Sequence, residues 1–170
     1  AAALVVFCVM IRGPARHNRG PCATLCGSFG AMQTRLGFGE GASTALYGDT
    51  IVVIWDQEPQ SWIGAFNKLT GEQLWRMDRD ESTTWATPLI VEYAGTTQVI
   101  TSGTTRVRSY DLADGKLLWE GPGLTANTIP SPVYEDGVVY LAAGFRGSRK
   151  SGVQGQSVHL GRRPLLKQNK

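Results

Sequence analysis

The sequence predicts an all-β protein built from repeated four-stranded antiparallel units, and the first evidence for this is an internal repeat. Residues 66–75 (FNKLTGEQLW) return 44 residues later as residues 110–119 (YDLADGKLLW). An aromatic residue, an Asx, a Gly turn and a Leu-Trp pair recur in register. A fixed period of this length is typical of propellers, solenoids and repeat arrays.

Short apolar and β-branched runs provide the second observation. Residues 51–54 (IVVI), 98–101 (QVIT) and 138–141 (VVYL) each follow a turn that contains glycine. They are short runs and do not show the pattern of an amphipathic helix, in which apolar residues three and four apart are separated by polar ones. Four short antiparallel strands in a unit of this length form a propeller blade. The predicted fold is therefore an incomplete β-propeller with a 44-residue repeat.

At these residues the sequence resembles the pyrroloquinoline-quinone-like (quinoprotein-type) β-propeller repeat family. The resemblance rests on the pattern aromatic-Asx-x-x-Thr/Asp-Gly-x-x-Leu-Trp, followed by Thr/Ser-Pro and a Gly turn. It covers about residues 27–148. Repeats of this family occur in quinoprotein alcohol dehydrogenases and in the outer-membrane assembly lipoprotein of the β-barrel machinery.

The strands and turns of the blades can be placed in chain order. A glycine-rich link at residues 37–41 precedes the first recognisable blade, whose innermost strand begins near Thr44. The corresponding positions of the next two blades are Thr87 and Ser131, at offsets of 43 and 44 residues. Five glycines are expected at tight turns, where they adopt positive φ without steric cost. They are Gly48, Gly71, Gly95, Gly115 and Gly137.

Two tryptophans close the repeats of the first two blades. Trp75 and Trp119 are expected to be buried, and the resemblance implies that they pack between adjacent blades. Gly71 and Gly115 share this structural role as the turn residues of the repeat. Leu74 and Leu118, which precede the tryptophans, are expected to pack in the same way.

The repeat divides the chain into three parts. Residues 27–148 hold two blades and part of a third, whereas a ring of 4–8 blades needs roughly 180–350 residues. The missing blades of a parent chain are expected to complete the ring. Residues 1–26 are interpreted as non-native sequence or a signal-peptide remnant. Residues 149–170 are interpreted as a basic tail that is disordered or non-native.

Charge is unevenly distributed along the chain. All 14 acidic residues lie between Glu40 and Asp136, whereas 11 of the 17 basic residues lie outside residues 37–145. Basic flanks suit an anionic partner. They contain no RNA- or DNA-binding motif, so no nucleic acid partner is predicted. The apolar run at residues 1–11 is too short to cross a bilayer, and no other segment approaches a membrane span.

Residues with ligand chemistry do not form a recognised metal motif. Cys22 and Cys26 have C-x3-C spacing near His17, but a structural zinc site needs four ligands and His159 is the other histidine. No metal site is predicted. Residues 78–81 (DRDE) could bind calcium or act in acid–base chemistry. We interpret them as a solvated loop between blades.

Strand parity places the long, variable loops of every blade on one face and the short glycine turns on the other. We call these the loop face and the turn face. Functional residues usually lie in variable loops on a rigid scaffold. Four residues on the loop face, near the central channel, are candidates for binding a protein partner or a small ligand. They are Glu40, Trp85, Asn127 and Arg146.

The repeat is an architectural motif, so the sequence predicts a non-catalytic scaffold with no catalytic residues and no cofactor. The resemblance implies a periplasmic or secreted bacterial protein, with the cytoplasm as the alternative. The alternative function is a fragment of a pyrroloquinoline-quinone-dependent dehydrogenase. Such enzymes are expected to carry a vicinal cysteine pair over the quinone, an Asp general base, and carboxylate and amide ligands for calcium. The three cysteines of this chain, Cys8, Cys22 and Cys26, are not adjacent.

Overall fold

A computed structural model describes residues 3–10, 24–39, 41–143, 154–159 and 167–169. These residues form strands and one short 3-10 helix, Arg35–Gly37. Among them, no helix is long and apolar enough to cross a membrane. The strands are β1 (Ala3–Met10), β2 (Thr24–Met32), β3 (Ala45–Tyr47), β4 (Thr50–Trp55), β5 (Ser61–Asn67), β6 (Gln73–Arg79), β7 (Leu89–Tyr93), β8 (Thr96–Thr101), β9 (Arg106–Asp111), β10 (Leu117–Pro122), β11 (Val133–Glu135), β12 (Val138–Ala143), β13 (Gln154–His159) and β14 (Lys167–Asn169).

The strands form three four-stranded antiparallel sheets and one hairpin. Blade 1 contains β3 to β6, blade 2 contains β7 to β10 and blade 3 contains β11 to β14, each in simple sequential order. Strands β1 and β2 pair separately. The predicted all-β class and the four-stranded antiparallel blades are confirmed.

The third sheet is larger than the sequence analysis predicted. It has four strands, whereas the repeat indicated only the beginning of a blade, because β13 pairs with β12 along its whole length. Both β13 and β14 lie within residues 149–170, which the sequence analysis set apart as a tail. The domain boundaries at residues 26 and 148 stay a prediction.

The repeated Asx and Gly residues build one type of turn at the end of the third strand of blades 1 and 2. The Asn67 side chain accepts the backbone N–H of Leu69 at 2.8 Å, and the Asp111 side chain accepts that of Ala113 at 2.9 Å. All five predicted turn glycines have positive φ. The recurring sequence pattern therefore encodes a side-chain-stabilised turn.

Both faces of the central strands β4 and β5 of blade 1 are buried, as their apolar runs predicted. On one face, Val52 and Ile54 belong to a cluster that continues into blade 2. On the other face, Ile51 and Val53 pack with Met32 from β2. Because alternate residues of a strand point to opposite faces, a strand between two packed layers is apolar throughout.

Trp75 is the central contact between blades 1 and 2. Its side chain is only 8% exposed, and its indole N–H donates to the backbone oxygen of Leu112 in blade 2 at 2.8 Å. Its ring lies against Gly115, where an added Cβ would approach the ring within 2.6 Å. The turn of blade 2 thus covers the tryptophan of blade 1, and glycine is required there for two reasons: its φ and its lack of a side chain.

Trp119 is less buried than the sequence analysis predicted. It is half-buried, and its indole N–H donates to the Gln98 side chain within blade 2 at 3.1 Å. It packs against the cluster that joins blades 2 and 3. Trp119 is therefore less buried than Trp75, although both lie at the same position of the repeat.

Leu74 and Leu118 also differ from expectation, because they are 47% and 38% exposed rather than buried. In β6, Gln73 pairs with Phe66 and Trp75 pairs with Ala65, which leaves Leu74 as the extra residue of a β-bulge. The same shift leaves Leu118 without a cross-strand partner in β10. A bulge redirects its side chain, so neither leucine points into the contact between blades.

We predict that Gly115→Ala destabilises the protein more than Gly95→Ala does. Both glycines have positive φ, +76° and +79°, so alanine costs about 1–2 kcal/mol of backbone strain at either site. Open space surrounds Gly95, whereas a Cβ at Gly115 would displace Trp75, adding about 1–3 kcal/mol. Urea unfolding followed by circular dichroism measures both losses, and equal losses would contradict this view of the contact.

Candidate functional site

The loop face carries the segments that join the strands at the end opposite the glycine turns. These segments contact one another closely between blades 1 and 2. The Glu81 carboxylate accepts the backbone N–H of Thr105 at 2.7 Å and that of Arg106 at 3.1 Å. The Ser61 hydroxyl donates to the backbone oxygen of Glu81 at 2.7 Å. The loop that joins β6 to β7 is therefore held by hydrogen bonds to both blade 1 and blade 2.

A cleft of about 580 Å³ opens on this face where the chain leads into the innermost strands. Its described lining combines two aromatic rings and an aliphatic side chain with hydroxyl and amide groups. The lining residues are Phe38, Gly41, Trp85, Thr87, Asn127, Ile129 and Ser131.

The cleft is built from equivalent positions of three successive blades. Gly41, Trp85 and Ile129 are spaced 44 residues apart. Two residues after each of them, a ladder of hydrogen bonds crosses from blade to blade. The backbone N–H of Ser43 donates to Thr87 Oγ1 at 3.0 Å, and that of Thr87 donates to Ser131 Oγ at 3.1 Å. The register therefore aligns Ser43 with Thr87, rather than Thr44 as the sequence analysis had it.

Trp85 is held rigidly at the centre of the cleft. Its indole N–H donates to the backbone oxygen of Gly39 at 2.8 Å. Its backbone N–H donates to the backbone oxygen of Thr128 at 2.9 Å. The ring lies over Gly41, where a Cβ would approach within 2.9 Å, and 6.4 Å from the Phe38 ring. Trp85 thus links three segments of chain while part of its ring remains accessible.

Two of the four predicted site residues meet in this cleft. Trp85 and Asn127 both line it, and Asn127 adopts a left-handed backbone conformation with φ of +66°. Glu40 and Arg146 lie outside the described residues. The sequence analysis missed Phe38 and Ile129. Ile129 could have been found by adding 44 to Trp85, whereas Phe38 carries no repeat signal.

A buried ionic network lies behind the cleft, between blades 1 and 2. Arg79 Nε is 3.2 Å from Asp56 Oδ1, and both side chains are fully buried. The Thr84 hydroxyl donates to Asp56 Oδ2 at 2.6 Å. The Arg79 guanidinium also lies 6.0 Å from the ring centre of Tyr110 in blade 2. Blades 1 and 2 are therefore joined by charge as well as by apolar packing.

This network corrects the interpretation of residues 78–81 as a solvated loop. Asp78 and Asp80 are exposed, but Arg79 and Glu81 are buried. Alternate side chains of this segment point to solvent and into the contact between blades, so composition alone could not separate them. Arg108 from blade 2 bonds to Asp80 and lies 3.7 Å from Glu81.

Comparison with known proteins assigns this architecture to a family. A family model described as outer membrane protein assembly factor BamB matches residues 59–163, more than half of the 170 residues. The chain belongs to the BamB family. This confirms the resemblance to the pyrroloquinoline-quinone-like repeat, and the matched range extends past residue 148. No match was found among curated proteins.

Solved structures related to the BamB fold are similar over most of this chain. BamB from Moraxella catarrhalis is 18% identical, covers 72% of this chain and 38% of its own, and has a TM-score of 0.55. A europium-containing methanol dehydrogenase is 14% identical, with coverages of 78% and 25% and a TM-score of 0.55. Quinohemoprotein alcohol dehydrogenase from Comamonas testosteroni is 17% identical, with coverages of 75% and 20% and a TM-score of 0.50.

These likenesses show a propeller fold, of which the chain is a part. It spans less than two-fifths of the length of each of the three structures.

The described residues of this BamB-family chain do not fit a quinone–calcium pair. Among them, no group of three or more His, Cys, Asp or Glu side chains could hold a metal ion. The two buried carboxylates, Asp56 and Glu81, already interact with Arg79, Thr84 and backbone N–H groups. The described lining of the cleft has no ionisable side chain. Its chemistry is that of apolar contact and hydrogen bonding.

Burial changes the titration of the network. Loss of solvation raises the pKa of the Asp56 carboxyl above its ordinary value of 3.8, because it outweighs the attraction of Arg79 and the hydrogen bond from Thr84. Burial likewise raises the pKa of the Tyr110 hydroxyl, and the nearby Arg79 and Arg108 only partly offset it.

We predict that the Asp56 carboxyl makes stability fall as pH rises through its raised pKa. The folded state binds the proton more tightly than the unfolded state, so the stabilisation is complete below 3.8 and is lost as pH rises through the folded-state pKa. The unfolding free energy of Asp56→Asn relative to the wild type should therefore rise with pH across this window. Urea unfolding across a pH series measures it, with Asp136→Asn at an exposed turn as the control. A difference that falls with pH would mean that Arg79 dominates.

Proposed function

We propose that this chain is part of a non-catalytic scaffold of the bacterial cell envelope, and that its loop-face cleft binds a short apolar segment of a protein partner. The observation that carries the proposal is the cleft itself. It exposes apolar side chains next to hydroxyl and amide groups, on a rigid framework built from three blades.

Exposed apolar residues support binding rather than packing. Phe38 is 67% exposed and Ile129 is 54% exposed, although both border the same cleft. Large apolar side chains that cluster on a surface are typical of interaction sites. Covering each of them would contribute about 1.5–3 kcal/mol.

The polar groups of the cleft suit a polypeptide. Thr87, Asn127 and Ser131 offer hydroxyl and amide groups that can pair with the backbone N–H and C=O groups of an extended segment. Trp85 presents a ring whose position is already fixed by its own hydrogen bonds. Such pre-organisation lowers the entropic cost of binding.

The family supports the placement in the envelope. Its description names an outer membrane protein assembly factor, and one similar structure is BamB from Moraxella catarrhalis. We extend to this chain a role in binding proteins during envelope assembly, in the periplasm or as a secreted protein. Further blades of the parent protein would complete the ring.

A fragment of a pyrroloquinoline-quinone-dependent dehydrogenase is the second candidate. The TM-score of 0.55 to a methanol dehydrogenase equals that to BamB, which favours it to the same degree on fold. Under this candidate, quinone and calcium would need ligands from outside the described residues.

The proposal is tested with a fluorescently labelled peptide in which aromatic and polar residues alternate, as in a transmembrane β-strand. We predict that Phe38→Ser and Ile129→Ser each weaken its binding to the full chain by about tenfold, because each removes about 1.4 kcal/mol or more of apolar contact. Fluorescence anisotropy measures the affinity.

The matched control is Leu46→Ser, since Leu46 is 62% exposed but lies outside the cleft. It should leave the affinity unchanged, and urea unfolding should show all three variants folded. Equal affinity of all variants would refute the cleft as the binding site. Retention of pyrroloquinoline quinone and calcium in gel filtration would favour the dehydrogenase candidate instead.

A further inference from the structure

A second groove lies on the turn face, opposite the cleft. It has a volume of about 550 Å³ and runs along the contact between blades 1 and 2. Tyr47 and Leu74 come to it from blade 1, and Leu112 from blade 2. Two carboxylates, Asp49 and Asp111, stand in the same lining.

Leu74 reaches this groove because of the bulge in β6. It is the extra residue of that bulge and is 47% exposed, although Trp75 beside it is buried. Blade 2 carries the same bulge at Leu118, which does not line the groove. The bulge therefore places the Leu74 side chain at the groove, where about half of its surface is accessible.

The turn face is strongly acidic around this groove. The described turns and adjoining strand ends of blades 1 and 2, which border it, carry five exposed or half-exposed acidic residues and two basic ones. The acidic residues are Asp49, Glu72, Glu92, Asp111 and Asp114, and the basic ones are Lys68 and Lys116.

On the loop face, the buried acidic side chains lie beside arginines. There Asp56 and Glu81 lie beside Arg79 and Arg108 in the buried network. On the turn face, Lys68 lies 2.7 Å from Asp49, but the Asp49 side chain is still 65% exposed. Asp111 stabilises its own turn by accepting the Ala113 N–H and keeps further acceptor capacity. The turn face therefore retains negative charge that can act on a partner.

We propose that the turn-face groove binds a basic and apolar segment of a second polypeptide partner. An apolar side chain of that segment contacts Leu74 and Tyr47, while flanking Lys or Arg side chains lie beside Asp49 and Asp111. The site is separate from the cleft and from its proposed ligand. Together the two faces give one scaffold that holds two different polypeptides.

The two kinds of contact have different effects on binding. Exposed ion pairs contribute little to affinity, about 0–1 kcal/mol each, so the contact with Leu74 sets the strength of binding. The negative field steers the basic segment to the surface and excludes acidic ones. Binding is therefore expected to weaken with salt but not to disappear.

The test uses a labelled peptide of alternating Leu and Lys, a second peptide with Glu in place of Lys, and the full chain. Anisotropy should detect binding of the first peptide and at least tenfold weaker binding of the second. Leu74→Ser should weaken the first by about tenfold, while the bulge-equivalent Leu118→Ser should not. Asp111→Asn, which keeps an oxygen for the Ala113 N–H, should weaken it severalfold at low salt and less at high salt.

Several outcomes would overturn the proposal. They are equal binding of the Lys and Glu peptides, equal affinity of the Leu74 and Leu118 variants, or full displacement by spermine, which carries charge without apolar side chains. Phe38→Ser should leave this binding unchanged, so the result is independent of the function proposed for the cleft. Urea unfolding of Leu74→Ser confirms that a loss of binding is not a loss of fold.

Discussion

The indole of Trp75 joins blades 1 and 2, and the other features of this part of the chain depend on that contact. The ring is covered by a turn of the next blade, and its N–H is bonded to the Leu112 carbonyl of the same turn. A single blade leaves its apolar faces open to water, so stability comes from stacking neighbours. The contact requires a glycine at residue 115, where a Cβ would collide with the Trp75 ring.

Both proposed binding sites lie where neighbouring blades meet. At the loop face, the bonds from Ser43 to Thr87 and from Thr87 to Ser131 step from blade to blade and form the wall of the cleft. At the turn face, the groove opens where the Leu112 turn meets blade 1. On the loop-face side, the Glu81 carboxylate binds the backbone N–H groups of Thr105 and Arg106 in blade 2. The cleft and the groove lie at opposite ends of the strands, so the length of the strands sets the distance between them.

The periodicity of the sequence predicted the structural features that recur in each blade, and it missed those that differ between blades. The 44-residue spacing placed the blades, the turn glycines and the loop-face position of Trp85. It could not show that Trp119 is less buried than Trp75, because burial depends on what packs against each ring and not on the repeat. It also could not show that Arg79 is buried and Asp78 exposed, because these neighbours on β6 point their side chains in opposite directions. Leu74 seemed a core residue because a bulge leaves no signature in composition.

The account is tested most directly by amide hydrogen exchange of the full chain with Trp75→Phe. This change removes the indole N–H and leaves the Leu112 carbonyl without its donor, which costs about 1–3 kcal/mol. If the contact couples the blades, exchange should accelerate about tenfold or more in β8 and β9 of blade 2 as well as in β4 and β5 of blade 1. Acceleration confined to blade 1 would contradict the claim that Trp75 holds the two blades together.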